Sequence, residues 1–514
     1  MIFNRIEKYL FPLLVASHLI PLLALGFFVT HDGPAHTYNT VLIEDLLSQD
    51  TKPASVFFQF NPDPVPNWGY NAIMLITDKL VSPAVSERLI IALIILVIAF
   101  SFRALIRQIN PENSFQSFLV LPFLFSFHLY IGFFNFCIGS SLFFFLLYYM
   151  VKKRTNNGLA YYFLLGGISL LLLFSHAFSF MLFCICLKGY LIVETKYRGQ
   201  KLFSSYYLKK IVFHFLALLP SLLFCIYFLT SRYDVKGIAW LDLQESFRYI
   251  YECGPAITLT YEPERIYGIT IFVLTVLNIG FVIHAKRKLS GKLNRHDLWL
   301  VISLVTLILY FLLPNTMGVW GFISLRTLMF FFLFLPLWFA SSDFPQWWKF
   351  TQVGVMTLLI VSRLNYQYGL SKNLNNDVME MVSIKDKIRP GSVILPLDYY
   401  TNWMHDNISN YLGMENKNVV LDNYEAVFPH FPLMLKNETN PYTLLGNFSG
   451  RTPPCADIDK FENEVGLRID YVLRWMYHAD EDSCTASVNK IIEEKFVLKA
   501  KSPNGMAELF ERKK

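Results

Sequence analysis

The chain has 514 residues, 54% of them hydrophobic, with 48 phenylalanines and a formal net charge of +6. Uncharged runs of roughly 15–20 residues recur along it, which excludes a soluble domain and identifies a polytopic membrane protein. From residue 370 onward there are 17 Lys+Arg against 21 Asp+Glu, whereas residues 1–369 hold 28 against 18. The positive excess therefore belongs to short loops of the kind that set membrane topology, and it does not indicate a nucleic-acid partner.

The N-terminal MIFNRIEKYLFPLL resembles a cleavable signal only superficially. No small-residue cleavage site precedes His31, so this segment is read as a retained span. About eleven transmembrane helices are expected, near 10–30, 85–102, 115–131, 136–151, 158–174, 177–193, 211–229, 267–285, 297–313, 326–341 and 350–366. With the N-terminus cytoplasmic, the inner segments carry Arg5, Lys8, Arg103, Arg107, Lys152, Lys153, Arg154, Lys196, Arg198, Lys201, Lys209, Lys210, Lys286, Arg287, Lys288, Lys292, Arg295 and Lys349. The large outer loops, 31–84 and 230–266, hold twelve Asp+Glu against six Lys+Arg. This asymmetry follows the positive-inside rule and places the tail outside the cytoplasm. The expected division is a transmembrane domain over 1–369 and an extracytoplasmic α/β domain over 370–514.

Within the first outer loop, Ala35, Tyr38, Leu42 and Leu46 fall on one helical stripe, so residues 35–48 are expected to form an interfacial amphipathic helix. Residues 67–81 are apolar but short, and would reverse every later loop if they spanned. They are assigned to a second interfacial or re-entrant helix. In the tail, 393–397, 418–421, 470–473 and 507–510 read as strands, and 404–412 and 487–494 as helices. Cys137, Cys184, Cys186 and Cys225 lie in apolar runs and read as packing residues. Cys455 and Cys484 form the natural disulfide pair if the tail is extracytoplasmic, which leaves Cys253 odd. Asn407-Ile-Ser, Asn437-Glu-Thr and Asn447-Phe-Ser are glycosylation sequons. There is no GxGxxG and no P-loop lysine.

The chemistry concentrates in His31-Asp32-Gly33-Pro34-Ala35-His36, directly after the first apolar run. Ionisable groups at the edge of hydrocarbon are costly unless solvated or paired, which makes them candidate functional groups. Asp32 before Gly-Pro can serve as a helix N-cap, or as a general base, or as both. His31 and His36 flank it, and Asp32 with His36 could also hold a divalent cation, although two ligands are a weak metal signal. Further polar groups recur near short outer turns: His128, Asn135, His176 and Arg326. Arg326 on the outer side calls for an anion, which could be a lipid headgroup, a carboxylate of the chain or a substrate phosphate. A lone histidine is more often a packing residue than a catalyst.

The order of these features resembles the GT-C superfamily of integral-membrane glycosyltransferases, with a layout like those of protein O-mannosyltransferases and the lipid A aminoarabinose transferase. The resemblance is carried by HDGPAHTYNTVLIEDLL after one span, by PNWGYNAIMLITDKL, by SPAVSERLIIAL at the second span and by the outer α/β tail. It implies an enzyme of the hexosyl- or pentosyltransferase class. Such an enzyme moves a sugar, with inversion, from a polyprenyl-phosphate-linked donor to a glycan, lipid or protein acceptor. Asp32 would then match the first-loop catalytic acid, acting as general base with His36 in its neighbourhood. Arg326, with His128, Asn135, His176 and His31, would bind substrate. The loop lacks the Asp-Glu pair of the protein mannosyltransferases, which leaves acceptor type and metal requirement open. Two other classes fit the same residues: a lipid-linked-sugar transporter or flippase, and a non-catalytic membrane scaffold whose outer domain binds a partner. A transporter predicts charges near span midpoints, and the apolar runs hold few.

Overall fold

The structure, a computed structural model, describes residues 2–48, 53–153, 158–230, 237–288, 294–318, 320–449, 452–478 and 482–514. Arg154 and Lys292 of the expected basic loops lie outside the described residues, as do 49–52 and 231–236 of the two outer loops. Among the described residues six helices are long and apolar enough to cross a membrane: Pro83–Ile109, Phe134–Lys152, Ala177–Tyr197, Ser205–Thr230, Tyr261–Arg287 and Arg295–Leu312. Leu159–Ser175 and Ile323–Phe339 are apolar but shorter. The protein is an integral membrane protein with a predominantly helical fold and a C-terminal sheet. The chain divides into two compact units, Met1–Ile20 with Ile91–Tyr368, and Pro21–Ile90 with Gly369–Lys514.

Two expected spans are not continuous α-helices. The first helix, Ile2–Ser17, stops well before residue 30. The chain turns at His18-Leu19, and a short second helix, Ile20–Ala24, carries Pro21 in its first turn, where the missing N–H costs nothing. His18 Nδ1 and Ser17 Oγ both sit 2.7 Å from the Leu14 carbonyl oxygen at this break. In place of the expected span 115–131, a 3-10 stretch covers Pro111–Phe123 and a short helix covers Phe127–Tyr130. The stretch ends at Phe123 and the chain turns before Phe127, and carbonyls left open in an apolar region need another donor. Arg363 supplies it. Fully buried, its guanidinium donates to the carbonyls of Pro122 at 2.6 Å, Phe125 at 2.7 Å and Ala256 at 2.6 Å.

The expected boundary at 369/370 falls inside one helix, Gln346–Val382. Its later turns bury Leu374, Val378 and Met381, an apolar stripe at helical spacing. The first outer loop groups with the tail in a single unit. There, Phe58–Phe60 pairs antiparallel with Leu433–Leu435. The tail also builds a five-stranded sheet in the order Val419–Val420, Val393–Asp398, Tyr471–Trp475, Ala507–Arg512 and Phe496–Lys501. The first two pairings are parallel and the last two antiparallel. Helices Ile458–Val465 and Ser483–Lys495 accompany it, and the sulfurs of Cys455 and Cys484 are joined.

The helix expected over 35–48 forms as Gly33–Ser48, and its first half is enclosed by protein. Every residue from Asp32 to Thr40 is buried, the polar Thr37, Asn39 and Thr40 included. The stripe Ala35, Tyr38, Leu42 marks just one of the faces that the surrounding unit covers. Tyr38 shows how tightly. Its hydroxyl donates to the Asn418 carbonyl at 3.2 Å and accepts from the Val420 N–H at 2.9 Å. Gly413 lies against the ring so closely that an added methyl would overlap it. Gly413→Ala should therefore cost about 1–3 kcal/mol as an overpacked site. Thermal unfolding of the purified protein checks this, and an unchanged melting temperature would contradict the close approach.

Candidate active site around Asp32

Three residues open the Gly33–Ser48 helix. Thr30 Oγ1 accepts from the Gly33 N–H at 3.1 Å, and the Asp32 carbonyl accepts from the His36 N–H at 3.0 Å. Thr30 thus serves the first helical N–H, and the Asp32 carboxylate turns to side chains instead. Its Oδ1 accepts from His31 Nδ1 at 2.5 Å, and Tyr424 hydrogen-bonds to it as well. The other ring nitrogen of His31, Nε2, stands 3.2 Å from Asp406 Oδ2. Asn407 Nδ2 donates to the His31 carbonyl at 2.9 Å.

Asp32 is 6% exposed, whereas the Asp406 side chain is 55% exposed. Burial opposes a charge on the His31 ring. The hydrogen bonds to Asp32 and Asp406, with their charges, outweigh that and push its pKa up to about 10. His31 is therefore an imidazolium at neutral pH, set between two carboxylates. Burial raises the Tyr424 phenol, and the charges of Asp32 and Glu425 raise it further, so it stays a hydrogen-bond donor. Two more carboxyls stand close to Asp406. Asp398 is pushed up to about 7 by burial and by the charges of Asp406 and Asp422, against a hydrogen bond from the Tyr400 N–H. Asp422 is pushed up to about 6 by burial, although Tyr442 and Ser449 donate to it at 2.6 Å and 3.1 Å.

His36 goes elsewhere. Its Nδ1 lies 2.8 Å from Glu425 Oε2, both groups are buried, and its ring meets Tyr70 and Phe431. Asp32 and His36, the two residues that could have shared a cation, thus face different carboxylate and imidazole partners. Among the described residues no group of three or more His, Cys, Asp or Glu is placed to hold a metal ion.

The other unit gathers the remaining candidates around Phe133 and Phe136. The Arg326 guanidinium carbon lies 4.4 Å from the Phe133 ring centre and 5.7 Å from that of Phe136. The rings of His128 and His176 meet Phe136 at 4.7 Å and 5.1 Å between centroids. His176 Nδ1 is 3.3 Å from Ser179 Oγ, and Asn135 is buried on the intervening turn of the Phe134–Lys152 helix. Arg326 is thus seated by cation–π contact.

Sequence reasoning missed Asp398, Asp406, Asp422, Tyr424 and Glu425. Their signal was available as acids beside aromatics, in Asp398-Tyr399-Tyr400, His405-Asp406 and Asp422-Asn423-Tyr424-Glu425. It also treated Asn407 as a sequon, whereas its side chain is buried against His31.

His31, Asp398 and Asp422 act in one direction on stability. Stabilisation from His31 is complete below its ordinary pKa of 6.5 and is lost as pH rises through about 10. Asp398 and Asp422 hold their protons more tightly when folded, so their contribution is greatest near the ordinary 3.8 and fades as pH climbs through about 6 to 7. The melting temperature should fall steadily between about pH 5 and about pH 10, and Asp398→Asn should flatten the acidic part of that slope. A flat or rising curve would contradict the assignment.

No protein-family model matches the chain, and no curated protein matches it. Among solved structures, the crystal structure of ArnT from Cupriavidus metallidurans bound to undecaprenyl phosphate aligns over 97% of this chain and 97% of its own. The identity is 10% and the TM-score 0.38, a likeness too loose to assign an activity here.

Proposed function

We propose that this integral membrane protein is a glycosyltransferase that moves a sugar from a polyprenyl-phosphate carrier to an acceptor, with Asp32 as general base. The observation that supports it is the setting of Asp32: a largely buried carboxylate at a helix start, held by an imidazolium and a phenol. The GT-C resemblance of the first loop supplies the reaction class. In the proposed step Asp32 takes the proton from an acceptor hydroxyl or amine as that atom attacks the anomeric carbon. The bond from that carbon to the carrier phosphate breaks with inversion, and lipid phosphate leaves. His31 stays charged throughout and offsets the anionic charge near the base.

The positive-inside asymmetry and the Cys455–Cys484 bond support an extracytoplasmic site, since disulfides persist in oxidising compartments. A bacterial inner membrane with a cytoplasmic N-terminus fits this orientation. Arg326, seated on Phe133 and Phe136, is proposed to take an anionic group such as a carrier phosphate, with His128, Asn135 and His176 around the same aromatic pair.

The deciding assay follows radiolabelled sugar from a polyprenyl-phosphate donor pool into cell-envelope material. Asp32→Asn should lose about 10²–10⁴-fold in turnover at matched levels of folded protein. Full turnover in that variant would remove Asp32 from the chemistry, and no turnover in the wild type would shift weight to a transporter or scaffold. Arg326→Ala should raise the donor KM by about tenfold or more, the loss of one charge-assisted contact. An unchanged KM would leave Arg326 a packing residue.

A further inference from the structure

The turn Asn402–Asn407 meets His31 in three ways. Asp406 Oδ2 faces its Nε2 at 3.2 Å, the Trp403 ring lies 5.4 Å from the imidazole between centroids, and Asn407 donates to its carbonyl at 2.9 Å. The turn is itself anchored. Asn402 Oδ1 accepts from the Met404 N–H at 3.1 Å, and buried His405 bonds to Asp377 of the Gln346–Val382 helix at 3.0 Å. His405 also accepts from the indole N–H of Trp475 on the central strand at 3.4 Å. A segment of the tail thus grips the residue before Asp32 by its ring and its backbone together.

We propose that Asp406 is a positioning residue for Asp32, acting through His31. This rests on the reading of Asp32 as the transfer base. An exposed ion pair alone is worth little. Asp406 is different because its partner is a rigid planar ring whose opposite nitrogen sits on the Asp32 carboxylate. With Nε2 held by Asp406 and the backbone by Asn407, the ring can present only Nδ1–H to Asp32, which fixes the carboxylate plane. The same logic places an orienting carboxylate behind an imidazole in many acid–base sites. Here the order is reversed, with the carboxylate of the base at the buried end.

The groups facing His31 are Asp32, Asp406, Trp403 and Tyr424, and those facing Asp406 include Asp398 and Asp422. Removing the Asp406 charge takes one of two carboxylates from the imidazolium. Its titration midpoint should then fall by about one pH unit or more, at least a tenfold change in protonation equilibrium. Asp406 is exposed enough for the substitution to leave the fold intact.

The test uses the full-length protein in lipid nanodiscs as wild type, Asp406→Asn and Asp406→Glu. Diethyl pyrocarbonate reacts with neutral imidazole, so modification of the His31 peptide, read by mass spectrometry across about pH 6 to about pH 10, reports its midpoint. Turnover and donor KM are measured on the same samples. The expected result is a lower His31 midpoint in Asp406→Asn, with kcat down about tenfold or more, KM within about twofold, and recovery of both readouts in Asp406→Glu. An unmoved midpoint overturns the proposal, and so does a lowered midpoint with unchanged kcat. If the wild type shows no turnover, the transferase reading fails. The His31 midpoint then decides by itself whether Asp406 governs that ring.

Discussion

A helix with polar residues on several faces has been enclosed, and the enclosure dictates how the unit around it is built. Thr37, Tyr38, Asn39 and Thr40 in the helix Gly33–Ser48 are buried in succession, and each unpaired group would cost about 1–3 kcal/mol. Each is met. Thr37 shares a 2.7 Å bond with the Tyr70 hydroxyl, and Asn71 donates to Thr40 at 2.9 Å. Asn423 donates to Asn39 at 2.6 Å, and Tyr38 is held by Asn418 and Val420. Partners at positions 418–425 explain why the first loop and the tail form one unit. A solvent-facing helix in this place would need none of them. The position of Asp32 follows from the same requirement, because the residue that opens an enclosed helix cannot drift.

The membrane-spanning unit answers a related demand with a different device. Apolar surroundings tolerate irregular backbone only where the protein itself supplies donors and acceptors. Arg363 does so for the break after Pro122, while Arg103 bridges Glu7 at 2.5 Å and Ser117 at 2.9 Å. Gln116, Asn278 and Gln352 add side-chain amide contacts near the start of the 3-10 stretch. Charge inside this unit therefore serves backbone and packing needs first. Arg326 follows the same pattern, its guanidinium seated on Phe133 and Phe136.

Local pattern carried the sequence reading where the cause was local. The tail strands were legible because β-branched and apolar residues recur between turn signals, as in Val393-Ile394-Leu395. The apolar helices followed from hydropathy alone. The covering of the Gly33–Ser48 helix was not legible: its stripe of Ala35, Tyr38 and Leu42 satisfies the amphipathic pattern, and nothing nearby tells that the opposite face is covered from nearly 400 residues away. The turn at His18-Leu19 and the 3-10 stretch break the helices locally, and window hydropathy averages such breaks away. At the site, Asp32 and His31 could be picked out because they end an apolar run. Asp406 lies 375 positions from His31, and no spacing rule spans that distance.

Asn407 has a consequence for how this protein can be produced. The Asn-Ile-Ser triplet is readable by an N-glycosylation machinery, and such machinery acts on the chain as it is translocated, before burial can shield anything. In a eukaryotic secretory host, a glycan at Asn407 would occupy the amide that otherwise closes on the His31 backbone, and its bulk could not enter the folded turn. Asn437 and Asn447 are exposed and could carry sugar without such conflict. The choice of expression system is thus decided by one buried amide, and material from a host that glycosylates would be damaged at the turn that holds the imidazole.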